Sequence, residues 1–212
     1  PEGKELAVQT STIALSSGKS RNVESNLTLT NPQRWDIGHG VLYTVKTTIQ
    51  RKRQILDVTY SDFGIRTMRF TADHGFYLND RRVQIKGVNL HHDHGPLGAA
   101  FYPRAMERQL ELLQEMGCNA IRTSHNAPAP EVLELCDRMG ILVLDELFDK
   151  YDRKADIMDT TDFEAFAYRN VNHFVRRDRN HPSIFLWSVG NKIGDVQWNV
   201  NGGLAKLRTM VN

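Results

Sequence analysis

Four apolar segments of the chain each end in side chains that are capable of chemistry. The pairs that follow these segments are, in order, Asn89 and His91, Arg122 and His125, Asp145 and Glu146, and Asn191 and Lys192. In barrels of parallel strands, the carboxyl ends of the strands form the face on which active sites are assembled. One such strand end carries little information, whereas four in succession indicate an active site that combines amides, imidazoles, cations and carboxyl groups.

The segments that must position these residues alternate between strand and helix patterns from residue 75 onward. Strands are predicted at residues 85–89, 118–122, 141–145 and 184–189, and helices at 103–116, 130–139, 163–179 and 204–211. Continuous apolar strands between helices are typical of a parallel sheet covered on both faces. Four such units fit the first half of a (β/α)₈ TIM barrel. An open doubly wound sheet is the alternative, but no glycine-rich phosphate loop follows the first strand.

The first 72 residues have a strand-type composition without helix patterns between the strands. Short segments rich in β-branched and aromatic residues lie at 6–8, 27–30, 41–49 and 55–60, with turn-forming residues between them. Strands of this length and spacing predict a small antiparallel sandwich, with too few strands to be complete. We therefore expect an α/β plus all-β chain, with a partial β-sandwich at residues 1–72 and half of a TIM barrel at 73–212.

Composition excludes several classes of function. The 212 residues are 40% hydrophobic and 25% charged, which suits a folded domain, and the net charge of +2 favours neither nucleic acid nor an anionic membrane. No apolar run approaches the roughly 20 residues needed to span a bilayer. Cys118 and Cys136 lie in apolar segments, which predicts reduced core residues. The chain begins at Pro1 with neither an initiator Met nor a signal segment, so this end indicates no compartment.

Several longer motifs carry a resemblance to a known family. They are residues 63–66 (FGIR), 85–94 (IKGVNLHHDH), 119–125 (NAIRTSH), 137–146 (DRMGILVLDE) and 181–191 (HPSIFLWSVGN). In this order and spacing they resemble glycoside hydrolase family 2, and within it the bacterial β-galactosidases. The resemblance implies an immunoglobulin-like sandwich, here partial, and the first half of a catalytic barrel. It also implies that the jelly roll and the nucleophilic Glu lie outside this sequence, while the compartment, cytoplasm or periplasm of a bacterium, stays unknown.

The resemblance assigns the acid/base position to Lys192. Retaining glycosidases use two carboxyl groups about 5–5.5 Å apart, one as nucleophile and one as acid and then base. A lysine ammonium holds its proton at neutral pH and pairs with a nearby carboxylate. We therefore expect a fragment of an enzyme that hydrolyses terminal β-galactosides, with little activity as it stands. The alternative is a noncatalytic carbohydrate-binding or interaction protein derived from this family.

The same resemblance implies a set of substrate-binding residues. They are Asn191, His91, His125, Arg122 and Asp145. Asn191 would bond the sugar hydroxyl next to the reacting carbon, while Arg122 would support the pocket or its carboxylates. The alternative for the two histidines and Arg122 is ordinary hydrogen bonding at strand ends.

We expect no metal cofactor. His91, His92 and His94 suggest a metal site, but no helix-spaced second pair completes it. Some β-galactosidases bind magnesium, and the resemblance assigns those positions to Lys150, Asp152 and Lys192, so that site is expected to be lost. The expected partner is a β-galactoside or a related saccharide, with neither nucleic acid nor membrane. Self-association through the open edges of the half-barrel is also expected.

Overall fold

The computed structural model describes residues 3–150 and 163–194, together with residues 205 and 208. Residues 1–33 form one compact unit and residues 34–212 a second. Within residues 3–33 the backbone is irregular, apart from turns, and forms no strand. The strands predicted at 6–8 and 27–30 are therefore wrong. Their apolar side chains, including Val8 and Leu27, are exposed, because no neighbouring strand in this unit covers them.

Two small antiparallel sheets open the second unit. Strands β1 (Tyr43–Arg51) and β2 (Gln54–Phe63) form a hairpin, which confirms the strands predicted there. Strands β3 (Met68–Thr71), β4 (Gly75–Leu78) and β5 (Arg81–Arg82) form a three-stranded meander. Asn79 and Asp80 connect β4 to β5 with positive φ angles of 51° and 67°. Asn and Asp tolerate this left-handed conformation better than most residues, and the pair makes the tight turn of a hairpin.

The rest of the unit is a four-stranded parallel sheet with its helices. Strands β6 (Gly87–His91), β7 (Ala120–Ser124), β8 (Leu142–Glu146) and β9 (Ile184–Ser188) lie side by side in sequence order. Helices α1 (Pro103–Glu115), α2 (Pro130–Met139) and α3 (Phe163–Asp178) connect them. A doubly wound sheet reverses its strand order at a switch point, whereas this order runs in one direction, as in a barrel. None of the described helices is long and apolar enough to cross a bilayer.

The two central strands, β7 and β8, are buried on both faces, and their successive residues point to opposite faces. One face packs against α1 and α2 through a core that includes Leu110, Ile121 and Val143. The opposite face, the barrel interior, contains Ala120 and Leu142 together with Trp35, Phe76, Leu78, Val83 and Phe185. Side chains alternate in a strand with a period of two. Even-numbered positions of β7 and β8 therefore face the interior, and odd-numbered positions face the helices.

Asp137, at the carboxyl end of α2, connects three parts of this unit. Its backbone oxygen accepts a 2.7 Å hydrogen bond from Trp35 Nε1, and its carboxylate accepts one from the Ser183 backbone N–H at 3.0 Å. Its other carboxylate oxygen lies 2.6 Å from His181 Nδ1. Burial would lower the pKa of His181, but the bond to Asp137 and the surrounding negative charges outweigh it, and the pKa is raised. The segment before β1, helix α2 and the start of β9 are thereby held together.

The segment before β1 packs closely against Gly140 at the end of α2, whereas Gly117 at the end of α1 has no such neighbour. Gly140 and Gly117 both have positive φ, and a Cβ on either is strained by about 1–2 kcal/mol. A Cβ on Gly140 would also lie 2.5 Å from Gly38 N and 2.6 Å from Asp36 O, whereas one on Gly117 would meet nothing within 4 Å. Gly140→Ala should therefore lower the free energy of unfolding by about 1–3 kcal/mol more than Gly117→Ala. Equal losses in urea titrations of the two variants would contradict this packing.

Candidate functional site

A buried carboxylate, Glu146, lies at the end of β8 on the interior face. Its side chain is 1% exposed. Arg122 donates to its Oε2 from Nε at 3.0 Å and from Nη2 at 2.7 Å, and the Ser188 hydroxyl lies 2.6 Å from the same oxygen. His125 Nδ1 lies 2.5 Å from Oε1. Both oxygens of the carboxyl group thus contact protein side chains, and neither oxygen is accessible to a ligand.

Arg122 connects Glu146 to two amide side chains. Its Nη2 also donates to Asn191 Oδ1 at 3.1 Å, and its Nη1 reaches Asn89 Oδ1 at 3.5 Å. The parallel register sets Asn89 beside Arg122 on the neighbouring strand. A guanidinium has five N–H donors in a fixed plane, so one arginine can orient several acceptors at once. The structure therefore brings together Arg122, Asn191 and Asn89 among the strand-end residues.

The two histidines predicted for the site are neighbours. The rings of His91 and His125 meet edge to face with centroids 5.2 Å apart. Because His125 also contacts Glu146, its ring is held on one side by a carboxyl group and on the other by an imidazole. His91 and His125 thus belong to the same cluster as Arg122 and Asn191.

Asn191 is anchored from two opposite sides. Its side chain is nearly buried; besides receiving a bond from Arg122, it donates from Nδ2 to Asp149 Oδ1 at 2.9 Å. Lys150 Nζ lies 3.2 Å from both carboxylate oxygens of Asp149. Partial burial tends to raise the pKa of Asp149. The bonds from Asn191 and Lys150, with the charges of Lys150 and His125, outweigh that effect and lower it.

Lys192 follows Asn191 with a positive φ of 48°, which is uncommon for a residue other than glycine. Its side chain is exposed, although Asn191 and Ile193 on either side are buried. Within the part of the chain that the structure describes, Lys192 has no hydrogen-bond or ion-pair partner. Its side chain therefore stands apart from the hydrogen-bonded group of Arg122, Asn191 and Asp149 within the described residues.

Asp145 is not brought into this cluster. It occupies an odd-numbered position of β8 and faces the helices, where it is fully buried. Thr123 Oγ1 donates to its Oδ1 at 3.3 Å, and its Oδ2 has no hydrogen-bond partner among the described residues. Burial, followed by the negative charge of Asp178 on α3, raises the pKa of Asp145 to about 8. The structure gives no geometric support to the substrate-binding role expected for Asp145, because the alternation of the strand turns it away from the interior.

The histidines that follow β6 pack around the ring of Phe101. His94 is buried against the ring of Phe101, with centroids 5.7 Å apart, and the ring of His92 stacks on Phe101 with centroids 6.2 Å apart. No group of three histidines, cysteines or carboxylates in the described ranges could hold a metal ion. Asp152, one of the positions named for magnesium, lies outside the described residues.

Sequence reasoning did not single out two residues that contact the cluster, Ser188 and Asp149. Ser188 lies opposite Glu146 in the parallel register of β9 and β8, and the register irregularity between Val143 and Leu144 conceals that pairing from a simple alternation pattern. Asp149 lies beyond the end of β8, in a segment with no periodicity. No sequence signal identified it as the partner of Asn191.

Comparisons with known proteins agree on one family. The model for "Glycosyl hydrolases family 2, TIM barrel domain" matches residues 71–201, and that for "Glycosyl hydrolases family 2" matches residues 1–66. The β-galactosidase BoGH2A of Bacteroides ovatus is 47% identical over 199 residues, which is 93% of this chain and 23% of that protein.

Solved structures of such enzymes share the fold. A glycosyl hydrolase family 2 member from Bacteroides cellulosilyticus superimposes with a TM-score of 0.78 at 38% identity, covering 87% of this chain and 25% of that one. A β-glucuronidase from Ruminococcus gnavus, in complex with a C6-substituted uronic isofagomine, gives 0.76 at 27% identity, with coverage of 87% and 31%. The chain thus spans about a quarter to a third of these relatives, as a partial immunoglobulin-like sandwich followed by the first half of the TIM barrel.

The buried carboxyl group of Asp145 should make the stability of the chain depend on pH. Its pKa is raised from 3.8 to about 8, so its contribution to stability is full below about pH 3.8 and is lost as the pH rises to about 8. Asp145→Asn removes this ionisation and should flatten the fall in unfolding free energy across that window. The control Asp73→Asn, at an exposed turn, should follow the parent. Identical slopes for the parent and Asp145→Asn, from urea unfolding at a series of pH values, would contradict the assignment.

Proposed function

The chain belongs to glycosyl hydrolase family 2, and we propose that it is a segment of a retaining β-galactosidase-like enzyme whose acid/base position is occupied by Lys192. The observation that carries the proposal is the cluster of Arg122, Asn191, His91 and His125 at the carboxyl ends of adjacent barrel strands. The 47% identity to a β-galactosidase favours terminal β-galactosides over β-glucuronides as substrates.

The proposed roles follow from what each group can donate or accept. Asn191 supplies amide hydrogen-bonding groups to the sugar, and Arg122 holds Asn191 in place through the 3.1 Å bond to its Oδ1. His91 and His125 form one wall of the sugar pocket. Glu146 stands behind this wall and orients Arg122 and His125, since its oxygens are already occupied and its side chain is 1% exposed.

Lys192 cannot perform the proton transfers that the reaction requires. The acid must release a proton to the departing oxygen and later accept one from water, and it must change its charge at neutral pH to do so. An ammonium group keeps its proton there. Glu146 does not replace it, because a carboxyl group without an open direction cannot approach the leaving oxygen. We infer that the chain cleaves ordinary β-galactosides poorly.

We also propose that the site works without magnesium. Mg²⁺ is bound by oxygen ligands. Lys150 and Lys192 occupy two of the three positions named for the ion, and Lys150 Nζ already pairs with both oxygens of Asp149. An ammonium group has no lone pair to offer a metal. The residues in place therefore do not fit the ion.

A second candidate function is noncatalytic binding of a carbohydrate. It is favoured by one observation, the combination of an intact hydrogen-bonded cluster with a cation in the proton donor's position. Such a protein would bind the sugar through Asn191 and its neighbours without cleaving it. A carboxyl group restored at position 192 should increase the rate of hydrolysis if the protein is an enzyme. It should leave hydrolysis absent if the protein only binds carbohydrate.

Lys192→Glu, in the full-length gene product, should raise turnover of a β-galactoside with a poor leaving group by about 10²–10⁴-fold, because it restores general acid–base catalysis. Lys192→Gln serves as the control, since it removes the cation but adds no proton donor, and it should give no comparable gain. Sodium azide should accelerate hydrolysis of an activated aryl galactoside by the parent but not by Lys192→Glu. A parent and a Lys192→Glu variant that are equally inactive, yet bind galactose, would favour the second function.

Self-association of the chain is a further part of the proposal. Strand β9 is an edge of the parallel sheet, and its Leu186 and Trp187 are 40% and 39% exposed. Exposed, apolar strand edges pair with other chains. The chain expressed alone should therefore sediment above its monomer mass of 24.2 kDa. Leu186→Lys should shift it toward monomer, while Leu56→Lys, at an exposed leucine of β2, should not; a monomeric parent would rule the idea out.

A further inference from the structure

We propose that Asp149 is a positioning residue that fixes the side-chain amide of Asn191, so that Asn191 presents an N–H donor to the bound sugar. This inference rests on the proposed function, because it concerns how the same pocket holds its ligand. Asp149 lies on the segment that follows β8 and not on a strand of the sheet. Its contacts nevertheless connect it to Asn191 in two ways.

The two connections involve both the side chain and the backbone of Asn191. Asn191 Nδ2 donates to Asp149 Oδ1 at 2.9 Å, and the Asn191 backbone N–H donates to the Asp149 backbone oxygen at 3.3 Å. The second contact ties the segment after β8 to the segment after β9. Asp149 therefore restrains where Asn191 lies as well as which way its amide faces.

The partners leave only one orientation for that amide. A guanidinium donates hydrogen bonds and accepts none, so the oxygen of Asn191 must face Arg122. A carboxylate accepts and does not donate, so the nitrogen of Asn191 must face Asp149. A flipped amide would place donor against donor and acceptor against acceptor.

This arrangement leaves one amide hydrogen of Asn191 for a ligand. The nitrogen has two N–H groups, and Asp149 uses one of them. The remaining N–H can bond to a lone pair on a sugar hydroxyl oxygen. Without Asp149, the amide could rotate away from the ligand, because only Arg122 would still hold it.

Lys150 keeps Asp149 in place for this task. The side chain of Asp149 is 46% exposed, so it would be free to adopt other rotamers without a second anchor. Lys150 Nζ lies 3.2 Å from each of its oxygens and supplies that anchor. An exposed ion pair of this kind contributes little to folding. Its effect is expected on ligand binding and not on the stability of the fold.

The test is a double-mutant cycle on ligand binding in the full-length gene product. D-Galactonolactone is the probe, and its dissociation constant is measured by calorimetry for the parent, Asp149→Ala, Asn191→Ala and the double variant. Asp149→Ala should weaken binding by about tenfold when Asn191 is present, and by less than about twofold when it is absent. Asp149→Asn keeps an accepting oxygen and should retain most of the affinity. Asp73→Ala, at an exposed turn, is the matched control and should change nothing.

The possible results distinguish the positioning role of Asp149 from the proposed function of the pocket. Equal weakening by Asp149→Ala in both backgrounds overturns the positioning role, while leaving the proposed function intact. If the parent fails to bind the lactone, the proposed function fails, and a crystal structure of Asp149→Ala then decides the present inference. A displaced or rotated Asn191 amide in that structure supports it, and an unchanged amide overturns it.

Discussion

The need to satisfy one buried carboxyl group, that of Glu146, determines much of the polar end of this sheet. Removing a carboxylate from water costs several kcal/mol unless hydrogen bonds and opposite charge replace the lost solvent. Here the replacements come from Arg122 in β7, from His125 directly after β7, and from Ser188 at the end of β9. The strands must therefore keep their register for the carboxyl group to stay bonded, and the same register sets Asn89 beside Arg122.

From Glu146 the bonding continues outward in a chain of alternating donors and acceptors. Arg122 donates to Glu146 and to Asn191, Asn191 donates to Asp149, and Asp149 accepts from Lys150. Lys192 is not a member of this chain among the described residues. A substitution at position 192 should therefore leave these hydrogen bonds unchanged.

Local pattern predicted the parts of the molecule whose pairing is local. Helix α2 begins and ends where its sequence pattern indicated, and the β1–β2 hairpin lies where strands were predicted at 41–49 and 55–60. The segments at 6–8 and 27–30 have β-type composition, but composition does not reveal whether a distant strand is available to cover them. Likewise, Asp145 and Glu146 are adjacent in sequence, and only the phase of the strand decides which of the two faces the interior. The position of Asp149 beside Asn191 depends on the path of the segment after β8, and that segment has no sequence periodicity from which its path could be predicted.

The burial of the Trp35 indole in the core of the half-barrel affects where this polypeptide can be divided into independent modules. Although Trp35 precedes every strand of the molecule, it is fully buried among Leu142, Phe185 and Leu78, and its nitrogen bonds to Asp137. It is a component of the barrel floor supplied from outside the barrel sequence. A recombination junction placed between the sandwich and the first barrel strand would exchange that component along with the sandwich. The compact unit that contains this half-barrel accordingly begins at residue 34, before the first strand of either small sheet.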